Sequence, residues 1–289
     1  MKLQVQKLVP GKGFYPPQLR DIPTPPKQLF WLGAPPEELL KRPLVSIVGS
    51  RKVSPYGKVV TEQLAGDLAR QGVVIVSGLA LGVDSIAHAA TLKVNGLTIA
   101  ILPCGLDRIY PSSHHHLAKE ILENGGALVT EYREGEEIYE SNFVARNRIV
   151  SGLSRGVLIT EAAAKSGTLH TANFALEQGR EVFAVPGNIT SQTSVGTNNL
   201  IKAGAHPVTE ADDILSVLKI KAKPISELEI FADSEEETVI LKLVASGVHD
   251  SDALLKDSGL PLDSFNQTLT MLEITGKIRS EGAGHWTLS

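Results

Sequence analysis

The sequence contains one cysteine, Cys104, so no disulfide can close within the chain and no cysteine cluster can hold zinc. It contains no run approaching the roughly 18 consecutive apolar residues of a membrane-spanning helix. Its first ten residues have neither the apolar core nor the small-residue site of a secretory signal. These absences predict a soluble, cytoplasmic protein. Positive charge is not in excess either, since 28 lysines and arginines stand against 32 acidic residues, for a net charge of −4. Overall basicity therefore cannot hold a polyanion, and any such site must be a local patch.

Dinucleotide and metal signatures are also missing. After the first buried strand comes Gly49, then Ser50-Arg51-Lys52-Val53-Ser54, without the second and third glycines of G-x-G-x-x-G. Ser77-Gly78 occupies the tip of the second strand, where a ribose-binding acid would be needed. No NAD or NADP is expected, and no other cofactor. His114, His115 and His116 are consecutive, so they point in different directions on a helix and do not make a metal set. They read as a solvated helix start. His88 reads as a satisfied helix residue and Cys104 as a packed strand-end residue. Glu131 and Glu161 each follow a strand and are candidate bases, but neither has a paired acid, nucleophile or ligand set beside it. No catalytic residue is expected.

What is present is an alternation of buried-type strands and amphipathic helices. Apolar runs at 44–48, 73–76, 97–102, 127–130, 156–160 and 181–185 are separated by helix-length segments, with a short strand at 206–208 near the end. Strands buried on both faces and alternating with helices predict an α/β fold, a doubly wound parallel sheet. Residues 1–43 carry Pro16-Pro17, Pro23, Pro25-Pro26, Pro35-Pro36 and Pro43, which forbids long helices and predicts an extended leader packed on the core. The main domain is expected over 44–218 and an acidic linker over 219–236. Three helices and a hairpin over 237–289 predict a small C-terminal winged-helix domain. The helix that would read a DNA groove, 261–276, contains Asp263 and Glu273 and no lysine or arginine. Phosphate neutralisation dominates DNA affinity, so a protein-contact role fits this helix better.

In open parallel sheets the ligand sits beyond the carboxyl ends of the strands. The candidate site residues fall in those loops and on the helix before the fifth strand. Gly49, Ser50 and Arg51 follow the first strand, and Ser77 and Gly78 follow the second. Arg146, Asn147 and Arg148 lie on a helical segment, with Phe143 just before them as a candidate stacking partner or, equally, a core ring. Lys165, Ser166, Gly167 and Thr168 precede a long helix whose N-terminal amides are suited to an anion. Paired arginine donors can close on the same anion.

Gly49-Ser50-Arg51, Ser77-Gly78-Leu79-Ala80-Leu81-Gly82-Val83-Asp84, Gly105-Leu106-Asp107-Arg108-Ile109-Tyr110-Pro111, Arg146-Asn147-Arg148-Ile149-Val150-Ser151-Gly152-Leu153, Ser166-Gly167-Thr168-Leu169 and Val185-Pro186-Gly187 occur together and in order. This set resembles the DprA/Smf family of DNA-processing proteins over about residues 15–215 and, more weakly, over the winged helix. The resemblance implies an extended Rossmann-like fold that binds single-stranded DNA in a basic pocket, forms a homodimer and helps load the RecA recombinase during natural transformation. Leu81 stands where the family usually carries arginine, and only the leader precedes the Rossmann-like unit. Two other functions are weighed against this one. A phosphoribohydrolase-like enzyme would need a Pro-Gly-Gly-x-Gly-Thr-x-x-Glu run, but Thr171 holds the glutamate position. A nucleotide-sensing regulator would bind duplex DNA through the winged helix, whose reading helix is acidic.

Overall fold

The computed structural model describes residues 4–221, 234–282 and 284–288. Residues 222–233 of the expected acidic linker lie outside them. The described chain forms two compact units, divided between Lys221 and Ala222. The first begins with two strands inside the expected leader, Gln6–Leu8 (β1) and Leu29–Gly33 (β2). Both occupy windows free of proline, while the prolines fall between and after them. β1 pairs antiparallel with β2, and β2 pairs antiparallel with the sheet at Phe30↔Thr130 through Gly33↔Ala127. The leader is thus an antiparallel edge added to a parallel sheet, a common way of extending doubly wound folds. Its anchor is Trp31, fully buried, with Nε1 donating to Ala34 O at 2.6 Å.

A short helix, Pro36–Leu39 (α1), leads into the doubly wound part. Leu44–Val48 (β3), Pro55–Arg70 (α2), Val74–Ser77 (β4), Val83–Lys93 (α3), Thr98–Ile101 (β5), His115–Glu123 (α4), Ala127–Thr130 (β6), Glu140–Leu153 (α5), Gly156–Ile159 (β7), Thr168–Glu177 (α6) and Glu181–Ala184 (β8) follow in order. Val195–Lys202 (α7), His206–Pro207 (β9) and Ala211–Val217 (α8) complete the unit. The sheet order is β1-β2-β6-β5-β4-β3-β7-β8-β9, parallel from β6 to β9. Alternate strand residues feed two separate cores, as the two-residue period of a strand requires. Val74, Val76, Ile99 and Ile101 pack with Ile149, Val150, Leu153 and the leader's Tyr15, Leu19 and Leu29. Val45, Ile47, Ile75 and Leu158 pack with Leu64, Leu68, Ala87 and Ile214 on the opposite face.

The second unit has Glu235–Ala245 (α9), Ser251–Ser258 (α10), Leu262–Ile274 (α11) and the hairpin Ile278–Gly282 (β10) and His285–Leu288 (β11). Its core is Ile240, Leu241, Val244, Leu254, Phe265, Leu269, Leu272 and Ile278. This is the winged-helix arrangement, three helices closed by a two-stranded wing.

Candidate nucleic-acid interface

In the sheet order β3 sits between β4 and β7, and the chain winds away from it in both directions. This is the switch point at which open α/β sheets leave a crevice. The loop after β3 is stitched across it: Ser50 N donates to Glu161 O at 2.8 Å, Thr168 Oγ1 donates to Gly49 O at 2.8 Å, and Val83 N donates to Ser50 O at 3.1 Å. A Cβ on Gly49 would lie 2.6 Å from Val83 Cγ2 and 3.0 Å from Glu161 O. That glycine is therefore needed for loop packing whether or not an anion binds there.

Arg146 does not stand free at the rim. It is 3% exposed, and its Nη1 donates to the carbonyls of Gly78 and Ile101, at the ends of β4 and β5. Its Nε donates to Asn147 Oδ1 at 3.1 Å. From the other side, Asp84 accepts the Gly78 amide at 3.0 Å. Gly78 is thus held on both sides, its N–H by a carboxylate and its C=O by a guanidinium. Burial pushes the Asp84 carboxyl up, opposed by Arg146, and burial likewise lowers Arg146, opposed by Asp84. Each ion is what makes the other tolerable in the interior. Ser77 is also inward, with Oγ donating to Ile47 O at 2.6 Å.

Arg148 is committed elsewhere. Its Nη1 and Nη2 make a bidentate pair with Glu131 at 2.8 and 2.7 Å, and its Nε donates to Thr24 O at 2.9 Å. It therefore ties α5 to the end of β6 and to the leader. Two of the three arginines expected to close on an anion are held by the protein itself. The bidentate fork that suits a phosphate suits a carboxylate equally well.

Arg51 is different. It is exposed, and its guanidinium lies over the Phe143 ring, 5.5 Å from the centroid. Phe143 meets Tyr110 edge-on, with centroids 5.1 Å apart and planes at 71°. Tyr110 is 48% exposed. The result is a cation over one aromatic ring, which a second ring meets edge-on, at the mouth of the crevice. Lys52 and Lys165 are exposed on the loops either side, and among the described residues neither they nor Arg51 has a carboxylate partner. Leu81, 51% exposed, adds an apolar surface to the loop after β4. Tyr110 was not among the expected site residues. Its position in the loop after β5, on the same rim, is the signal that marks it.

The start of α6 is less open than its sequence suggests. Thr168 N donates to Ser166 Oγ at 3.2 Å, Leu169 N to Ser166 O at 3.1 Å and His170 N to Gly167 O at 3.2 Å. The loop satisfies much of its own helix end, which leaves Lys165 as its charged contribution. The candidate bases are occupied as well. Glu131 is paired with Arg148, and Glu161 is 1% exposed with its carboxylate accepting Ser54 N at 2.9 Å and Ser54 Oγ at 2.6 Å. His88 is fully buried against Thr98 Oγ1 at 2.6 Å, and burial pushes its pKa down to about 3. His114 Nδ1 lies 2.8 Å from Leu79 O. Cys104 is buried, and burial raises its thiol. Among the described residues no cluster of three metal-ligating side chains occurs, and no helix is long and apolar enough to cross a membrane. On α11, the exposed residues include Leu262, Met271 and Ile274 with Asp263 and Glu273, a surface poor in phosphate-binding groups.

An extended Rossmann-like sheet and a winged helix in this order define the class. A family model described as DNA recombination-mediator protein A matches residues 6–219, and one described as the DprA winged helix domain matches residues 224–284. Protein Smf of Escherichia coli (strain K12) is 41% identical over 287 residues, covering 96% of this chain and 76% of that protein. DNA processing protein A of Streptococcus pneumoniae has an X-ray structure that matches at a TM-score of 0.69 and 40% identity, covering 74% of each chain. The Helicobacter pylori DNA processing protein A, whose structure is described for its single-stranded DNA binding mode, matches at a TM-score of 0.68 and 35% identity. That match covers 77% of this chain and 99% of that one. The chain belongs to the DprA/Smf family of DNA-processing proteins.

Proposed function

We propose that this protein is a single-stranded DNA-binding recombination mediator that protects an incoming strand and helps load the RecA recombinase during natural transformation. One observation carries the DNA part of this reading: Arg51 lies over Phe143, which meets Tyr110, with Lys52 and Lys165 flanking them at the sheet's switch point. Proteins that hold single strands combine a cationic track for the backbone with flat rings for the bases. The rim has both, in spite of the chain's overall negative charge. The recombination part is supported by the family model's description, and the Helicobacter pylori relative supports the single-strand part. The action is binding rather than bond cleavage, a reading supported by the occupied carboxylates of Glu131 and Glu161. A cytoplasmic homodimer completes the proposal; light scattering measures its mass.

Competition between single-stranded and duplex oligonucleotides at two salt concentrations tests it. The single strand wins at both concentrations, and its affinity falls as salt rises. Equal affinity, or a preference for duplex, would shift the reading to the winged helix. A truncation ending at Leu218 separates the two, since a rim binder keeps its strand without the second unit.

A further inference from the structure

Three residues beyond Arg51, the N-terminus of α2 forms one wall of a groove of about 480 Å³. Ser54 and Tyr56 line this side, the loop after β8 (Pro186, Gly187, Asn188, Ser191) lines the other, and Glu161 is at its base. The volume lies within the usual range for a small-molecule or single-residue site. Its lining holds no lysine or arginine, and its one charge is the buried Glu161 carboxylate. A phosphate is thus repelled from the groove and attracted to Arg51 and Lys52 just outside it. What the groove can take is the uncharged, flat end of a nucleotide.

Tyr56 supplies the surface for that end. Its hydroxyl donates to Pro186 O at 2.8 Å, which fixes the ring across the groove mouth, while the residue stays 49% exposed. The Glu161 carboxylate accepts two bonds from Ser54 and has lone pairs left for an amino or imino group of a base. A half-exposed ring beside an acceptor matches one face and the edge of a nucleobase.

We propose that this groove is a base-binding subsite, in which one nucleotide of a bound single strand turns its base against Tyr56 while Arg51 and Lys52 hold its phosphate. The subsite rests on the single-strand reading above and extends the track from the Tyr110 and Phe143 rings, past Arg51, to the far side of α2. Stacking on a ring is tolerant of base identity, so the subsite adds affinity without imposing sequence.

The test is a double-mutant cycle between the protein and its strand. Affinity is measured by fluorescence anisotropy for the full chain and its Tyr56→Ala and Tyr56→Phe variants, on an oligonucleotide series in which one abasic site is moved along the strand. Tyr56→Ala weakens binding about tenfold, as the loss of one stacked base does. Tyr56→Phe, which keeps the ring, restores most of it. One abasic position costs wild type the same factor and costs Tyr56→Ala nothing further, the non-additivity that marks direct contact. An unchanged affinity in Tyr56→Ala, alongside a loss in Arg51→Ala, overturns the subsite and leaves the single-strand reading standing. Strictly additive losses at every abasic position also overturn it. A wild-type protein that retains no single strand removes the subsite and the reading together.

Discussion

Phe143 and Arg146 lie three residues apart on the same helix and serve opposite ends of the protein's chemistry. Phe143 faces the rim, where Arg51 and Tyr110 meet it. Arg146 faces inward, where the carbonyls at the ends of β4 and β5 accept from it and the charge of Asp84 opposes its own. In this contrast one arginine of the family motif is spent on the protein's own carbonyls. Arg146 shapes the loops after β4 and β5, and those loops place Leu81 and Tyr110 at the surface where a strand can reach them. The interior cluster sets geometry, and the exterior cluster is the one proposed to contact DNA.

This division predicts a large asymmetry between the two clusters. Arg146→Ala removes the cation that opposes the buried Asp84 and takes a donor from the Gly78 and Ile101 carbonyls, a loss of about 1–3 kcal/mol for each acceptor left unsatisfied. Urea unfolding should show it as a shifted midpoint; a native midpoint would mean that the interior cluster is not the structural one. Arg148→Ala breaks a bidentate pair that is mostly shielded, the side chains of Arg148 and Glu131 being 12% and 17% exposed. It costs about 2 kcal/mol and loosens residues near Thr24, which proteolysis of the leader reports. Strand affinity per folded molecule should stay at the wild-type value, and its collapse would put Arg148 back among the contact residues. Phe143→Ala reverses the pattern: the fold is retained, and the single strand is lost by about 1–3 kcal/mol, a typical value for one stacked base.

Acid sharpens the interior side further. The His88 pKa is pushed down to about 3 by burial, with His114 and Arg146 adding to the effect. Between pH 6.5 and that value the unfolded chain takes a proton that the folded chain refuses. Stability from this group is therefore complete above pH 6.5 and falls on acidification, by about 1.4 kcal/mol per pH unit where it titrates alone. Thermal unfolding of wild type against His88→Asn isolates the slope. A wild-type slope no steeper than the variant's would mean that His88 accepts its proton in the folded state.

The doubly wound sheet could be read from the chain because its strands are apolar runs buried on both faces, and Val45, Ile47, Ile75 and Ile99 could serve no other purpose. β2 was hidden because prolines dominate residues 10–43 and mask the short window that lacks them, and β1 because a three-residue strand is too short to show alternation. The site was legible as a rim and less so as a list of contacts. Composition gives arginines no address, so Arg51, Arg146 and Arg148 look alike until their partners are seen. A signal did exist for Arg146, which falls at helical spacing from Asn142, Ile149, Val150 and Leu153, all buried. A charge on an apolar stripe is read as an interior residue with partners to find. The start of α6 misled for a different reason. Ser166, placed to help an anion site, is equally placed to satisfy its own helix amides, and it does so. Gly49 and Gly78 likewise belong to the rim's construction, since an added Cβ would strike Val83 or the Arg146 guanidinium.

The most direct test of the account is the salt dependence of single-strand binding in wild type and Arg51→Ala, both shown to be folded by circular dichroism. Removing one phosphate contact from a single strand lowers the slope of log affinity against log salt by about 0.7, and the account predicts that drop together with a loss of affinity at low salt. The same slope and the same affinity in both proteins would contradict it, because the strand would then be held somewhere other than the switch-point rim.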